Sequence, residues 1–211
     1  MASICYYVVM KKNIYPGKFI VLEGLDGSGT TSQLKFLSQY LKKEKKKVHL
    51  TREPTQYLIG GLIKSWLAND WKSTPECLQL LFTADRAYHL DKEIIPLLKK
   101  GITVISDRYF FSTLAYGLLE IKDKKWLFDI NKRFILPDII IFVDTSPEIC
   151  IERIERDRFS VELFEKVEKL EKVRKGYLEI FKKFKNIYII DGNKSIKDVS
   201  CDIKKVMKNK F

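Results

Sequence analysis

The sequence predicts an α/β fold of the doubly wound kind, with a five-stranded parallel sheet flanked by helices. Three features predict it. Five short β-branched or aliphatic runs recur along the chain, each continuous rather than alternating, as in strands buried on both faces. Longer helical segments separate them. The first run leads directly into a glycine-rich loop and then an amphipathic segment.

Residues 1–17 read as an N-terminal extension. Its apolar stretch, Ser3–Met10, is followed by lysines. A secretory signal carries its charges first, so export is not expected. Met10 is an alternative start. The strands expected next are Lys18–Glu23, Lys47–Thr51, Ile102–Asp107, Asp138–Asp144 and Ile187–Asp191. Helix 31–43 follows the first strand, with Leu34, Phe36, Leu37 and Leu41 as its apolar side. Segment 78–98 holds two helical stretches, with Pro96 near the end. Segment 160–184 places Val161, Phe164, Val167, Leu170, Val173, Tyr177 and Phe181 at spacings of three and four, and its polar side carries Glu/Lys pairs. With no repeat, low-complexity linker or Pro/Gly-rich boundary, residues 18–211 read as one domain.

Composition excludes several classes. The 211 residues carry 45% hydrophobic side chains, enough for a packed core. No run of 18 apolar residues exists, so no membrane helix is expected. Cys5, Cys77, Cys150 and Cys201 are scattered, against a zinc site or a disulfide framework and in keeping with a reduced cytoplasm. The net charge of +12 rests on 31 lysines and 8 arginines. It fits a solvated lysine surface or phosphorylated ligands, and no specific nucleic-acid partner is expected.

The strongest local signal is Gly24-Leu25-Asp26-Gly27-Ser28-Gly29-Thr30-Thr31. Gly24 and Gly29 keep the spacing of a nucleotide phosphate loop, G-x-x-x-x-G-K-[ST], and Thr31 supplies the hydroxyl that meets Mg²⁺. Backbone N–H groups in such a loop curl around phosphate oxygens at a helix N-terminus. Position 30, where the pattern has Lys, is Thr. The Lys normally brings a point charge to the β- and γ-phosphates.

Seven blocks then occur in order: FIVLEGLDGSG (19–29), TREPT (51–55), LLFTADRAYHL (80–90), VISDRYFFSTLAY (104–116), LPDIIIFVD (136–144), EKVRKGYLE (171–179) and IDG (190–192). On these blocks the chain resembles the thymidylate kinases from about Lys18 onward. The resemblance implies a P-loop nucleoside monophosphate kinase fold with a short lid near 152–160, a homodimer, and ATP, Mg²⁺ and dTMP as ligands. It implies that Arg108 holds the acceptor phosphate and that Asp107 joins Thr31 at the metal. Phe82 would stack on thymine and Arg86, oriented by Asp85, would donate to its O4. Thr113 aligns with a base-reading position. Tyr116 either crowds the sugar C2′ or packs in the core. Asp26 aligns with an acid that reaches the sugar 3′-hydroxyl or the phosphate–metal region. Glu53 and Pro54 line the acceptor site, with Arg52 read as either part of that turn or a framework ion pair. Lys64 lies where a basic residue can approach the acceptor phosphate. Because position 27 is glycine, the resemblance points to a type in which the lid brings the catalytic arginine: Arg153 first, with Arg156 and Arg158 as candidates.

Two departures stand out. Thr30 replaces the loop Lys, and Gly117 stands where many members have Gln after the Ala-Tyr pair. Competing expectations are a broader deoxynucleotide kinase that also takes dUMP, and a nucleotide-binding protein weakened by the loss of the lysine.

Overall fold

The structure, a computed structural model, describes residues 10–155 and 163–210. The chain runs through β1 (Lys11–Lys12), β2 (Phe19–Gly24), α1 (Thr30–Lys43), β3 (Val48–Arg52), α2 (Leu58–Leu67) and α3 (Pro75–His89). A π-helical turn, Leu90–Ile94, joins α3 to α4 (Ile95–Lys99). It continues through β4 (Thr103–Asp107), α5 (Phe110–Gly117), α6 (Lys124–Asn131), β5 (Ile135–Leu136) and β6 (Ile139–Asp144). It ends with α7 (Pro147–Glu155), α8 (Leu163–Phe181), β7 (Ile187–Asp191) and α9 (Ile196–Lys208).

The five long strands form one parallel sheet in the order β3-β4-β2-β6-β7. Each coincides within a residue with an apolar run. The runs of β2, β4 and β6 are continuous because both faces of these central strands are covered, whereas the edge strands β3 and β7 are half-exposed. Phe19 and Val21 of β2 join one core with α4, α5 and α8, while Ile20 and Leu22 join the other with α1 and α9. Every residue of β2 is buried. Removing such side chains from water contributes roughly 1.5–3 kcal/mol apiece before the entropy of ordering is counted.

One local reading needs correction. Phe36 is 37% exposed and lies off the buried face of α1, which Leu34, Leu37 and Leu41 form. Segment 78–98 holds two helices as expected, α3 and α4, joined by the π-turn, with Pro96 in α4. Residues 10–17 are integrated into the domain. Met10 is buried, β1 pairs with β5, and Asn13 donates to the Gly17 carbonyl and to Asp138. Asp138 in turn accepts from the Phe19 amide at 2.7 Å, tying the extension to the head of β2. Among the described residues no helix is long and apolar enough to cross a membrane.

The carboxyl ends of β2, β4 and β3 lie side by side, with Leu22 opposite Asp107 and Asp107 opposite Arg52. In open parallel sheets that end is where ligands bind.

Candidate active site

β2 ends at Gly24 and α1 begins at Thr30, so residues 25–29 form the loop between strand and helix. Gly29 caps α1 with φ 92° and no side chain caps the helix; the Ser32 and Gln33 amides donate to the Gly29 carbonyl, and the Thr30 and Thr31 amides have no hydrogen-bond partner among the described residues and are open to an anion. Gly27 has φ 81°, and a Cβ there would lie 2.4 Å from the Cys150 carbonyl of α7. Within the loop, the buried Ser28 hydroxyl has no hydrogen-bond partner among the described residues. An orphaned hydroxyl among free amides fits a phosphate cradle. Thr31 Oγ1 donates to Asp107 Oδ2 at 2.6 Å, so sequence neighbours of the loop and of β4 meet as an oxygen pair. Mg²⁺ takes one or two protein oxygens together with phosphate and water oxygens, so this pair fits it without a larger acidic cluster.

Two cavities open at this end of the sheet. One, about 480 Å³, is lined by the loop from Leu25 to Gln33 and by Arg153, Gly192, Lys194 and Ile196. The other, about 680 Å³, is lined by Glu53, Pro54, Lys64, Phe82, Arg86, Thr113 and Tyr116 among others. Asp26, Arg52 and Arg108 line both.

Arg108 follows β4 with φ 72°, a left-handed backbone unusual for a residue with a side chain. Its Nη2 donates to Asp26 at 2.7 Å and its Nη1 to Tyr177 of α8 at 3.3 Å. Burial works against its charge, but the surrounding Tyr177, Tyr116, Asp26 and Glu23 hold its pKa well above the ordinary value. Tyr116 donates to the other Asp26 oxygen at 3.0 Å. Behind them Glu23 is fully buried, accepting from the Tyr177 hydroxyl and the Tyr109 amide at 2.9 Å each. Burial pushes its carboxyl up to about 8, although Arg108 and the two hydrogen bonds pull the other way.

Arg86 is fully buried at the back of the larger cavity. Its Nε donates to Glu53 at 2.9 Å, Nη1 to Asn131 at 2.6 Å and Nη2 to Thr113 at 2.7 Å. Glu53 Oε1 also faces His89 Nδ1 at 3.2 Å. The expectation that Asp85 orients Arg86 is corrected. Asp85 instead accepts from the amide and hydroxyl of Thr55 at 2.8 and 2.5 Å, anchoring the 53–55 turn to α3. Glu53, Asn131 and Thr113 orient Arg86. Phe82 lies one turn before it and lines the same cavity. Lys64 also lines the cavity, but its ammonium is held by the Thr55 carbonyl and Gln56 at 2.7 Å each. Burial, with nearby Arg52, lowers its pKa.

Arg153 of α7 donates to the Ser28 carbonyl at 3.3 Å and the Gly192 carbonyl at 3.2 Å, which places it over the loop at the smaller cavity. Arg156 and Arg158 lie outside the described residues. Arg52, read as an alternative framework ion pair, forms none among the described residues and lines both cavities. Its position at the carboxyl end of β3 was the signal that could have promoted it. Glu23, His89 and Asn131 were also missed, because their roles depend on partners brought from other elements.

The chain is similar to known proteins over most of its length. The thymidylate kinase family profile matches residues 22–203. A "Probable thymidylate kinase" of Pyrococcus horikoshii is 38% identical over 201 residues, covering 92% of this chain and 98% of its own. A "Probable thymidylate kinase" of Thermococcus gammatolerans is 36% identical over 195 residues, covering 89% and 94%. A "Thymidylate kinase" of Carboxydothermus hydrogenoformans is 36% identical over 197 residues, covering 89% and 95%. With a matching profile across most of its length and relatives of this kind, the chain belongs to the thymidylate kinase family.

Proposed function

We propose that the protein transfers the γ-phosphoryl group of ATP to dTMP, giving dTDP and ADP. The observation that carries this reading is the shared wall of the two cavities. Asp26, Arg52 and Arg108 border both a phosphate-loop cavity and a second cavity with an aromatic and a guanidinium side chain at its back. Two ligands bound there meet at these residues.

The smaller cavity takes the donor, with its phosphates on the free amides of the loop and α1. Thr31 and Asp107 would hold Mg²⁺, which supplies charge neutralisation to the phosphates when bound. The larger cavity takes the acceptor. Phe82 offers a π face to its ring, and Arg86 offers a donor to a ring carbonyl. Arg108 forks onto the monophosphate, a geometry that suits guanidinium better than ammonium. Arg52 adds a second cation, without an ion pair among the described residues, at the same wall. Tyr116 and Asp26 face the sugar side of that phosphate.

The attacking group is a phosphate oxygen, already anionic, so no strong general base is required. The residues align the reactants and neutralise charge as it moves. Arg153 supplies charge to the donor phosphates in place of the loop lysine. The close approach of Gly27 to Cys150 supports a lid-arginine arrangement, because a side chain at position 27 has no room. The exposed apolar faces of α2 and α3 support a homodimer.

The test is to incubate the protein with ATP, Mg²⁺ and a panel of nucleoside monophosphates and measure the diphosphates formed. dTMP is expected to be turned over best. No turnover of dTMP overturns the reading, and equal turnover of dTMP and dUMP replaces it with a broader deoxynucleotide kinase.

A further inference from the structure

Gln79 lies on α3 three residues before Phe82 and seven before Arg86, so the three share one face of the helix. All three line the larger cavity. Gln79 is only 3% exposed, and its side-chain Oε1 is buried without a hydrogen-bond donor among the described residues. A buried amide oxygen left unpaired is costly and uncommon in a folded protein. The space it fills comes from another helix. A Cβ built on Gly117 of α5 would lie 3.2 Å from both Cδ and Oε1 of Gln79 and 2.9 Å from Leu127. Gly117 thus leaves room that the Gln79 amide occupies, and a side chain at 117 would displace it.

We propose that Gln79 is a specificity-determining residue that reads the acceptor base. The edge it fits has a ring N–H beside a carbonyl, as in a thymine or uracil. Arg86 sends its Nε, one Nη1 and one Nη2 hydrogen to Glu53, Asn131 and Thr113, and Nη1 keeps a donor beyond the Asn131 bond. That donor meets the ring carbonyl. The Gln79 amide, turned about its last bond, presents its oxygen to the neighbouring N–H. Donor and acceptor side by side match the N3–H/O4 edge. A cytosine edge reverses both groups and leaves the Arg86 donor facing an amino group. Phe82, between them on the helix, supplies the ring face.

This inference rests on the proposed reaction for its substrate, and the experiment separates the two. dTMP binding is measured calorimetrically without ATP, alongside steady-state turnover. Intact binding without turnover counts against the reaction and leaves Gln79 judged by binding. Gln79→Leu is expected to raise both Kd and KM for dTMP about three- to tenfold, the loss of one neutral hydrogen bond. It is expected to shift dUMP by the same factor, since both bases present the same edge, and to leave KM for ATP unchanged. The melting temperature should hold or rise, because an unpaired polar atom is removed. Should the leucine variant fail to fold, Gln79→Met decides by the same readings. Unchanged dTMP binding with a raised melting temperature would show a packing residue and overturn the proposal. So would a shift confined to dTMP, which would place the contact at the methyl group, or an equal loss in the ATP constant.

Discussion

Thr30 poses the sharpest question about single residues. A phosphate loop without its lysine must find charge elsewhere. A Cβ placed on Gly29 would lie 4.0 Å from Arg153 Nη1, so that guanidinium already stands over the loop. If Arg153 carries the role, Thr30→Lys should change kcat by less than about tenfold, whereas Arg153→Ala should lower it by about 10²-fold or more. A large gain from the lysine with a dispensable Arg153 would reject the compensation. Glu23 gives a second test. Its folded pKa of about 8 lies above its ordinary value of 4.5, so the folded state holds a proton that the unfolded chain releases in that interval. The contribution of Glu23 to stability therefore falls as pH rises from about 4.5 to 8 and levels off above. Glu23→Gln removes this slope. Its melting temperature relative to wild type should be higher at pH 9 than at pH 5 by roughly 5 °C or more; an unchanged difference would show that the carboxyl is ionised throughout. Neither group was equally legible in the sequence. Thr30 was visible as a departure from a spaced motif. Glu23 read as the polar end of an apolar strand, because Tyr177, which makes it part of the site, lies in α8.

At the scale of elements, α3 does more than its motif suggests. One face carries Phe82 and Arg86 to the larger cavity, while Asp85 ties the turn after β3 to the helix. The three central strands were legible because burial on both faces leaves continuous apolar runs, and the glycine loop because its spacing is local. The helices between were less so. Phe36 was taken into the apolar side of α1 on spacing alone, yet its direction about the helix axis leaves it partly exposed, off the buried face. The Asp85 assignment failed for a related reason. Adjacent residues on a helix point about 100° apart, so Asp85 and Arg86 face different neighbours. Asp85→Ala should leave the Thr55 amide and hydroxyl without their acceptor in a buried site, costing roughly 2–4 kcal/mol of stability. Denaturant unfolding measures it. The loosened turn also carries Glu53, so KM for dTMP should rise while KM for ATP holds. A stability loss below about 1 kcal/mol would mean that another group or water anchors Thr55.

At the scale of the molecule, the charge of +12 resolves into a lysine-rich surface and a few arginines at the cavity wall. The more informative surface is apolar. Leu58 is 84% exposed and Leu62 46% on α2; Leu80 is 51% and Tyr88 41% on α3. Positions 58 and 62 are one turn apart, and Leu80, Ala84 and Tyr88 succeed one another at four-residue steps, so each helix shows an apolar stripe. The two helices pack against each other, which makes the stripes neighbours. Contiguous exposed apolar helix faces mark association sites. The homodimer implied by the family would cover them by matching the same stripes across a two-fold axis. The other side of α3 lines the acceptor cavity, so association would also brace the helix that carries Phe82 and Arg86. Leu58→Glu with Leu62→Glu should convert a dimer into a folded monomer by sedimentation velocity. KM for dTMP should rise severalfold as α3 loses its brace, with near-native helix content by circular dichroism. A wild-type protein that sediments as a monomer at micromolar concentration would remove the dimer, and a monomeric variant with unchanged dTMP kinetics would remove the brace.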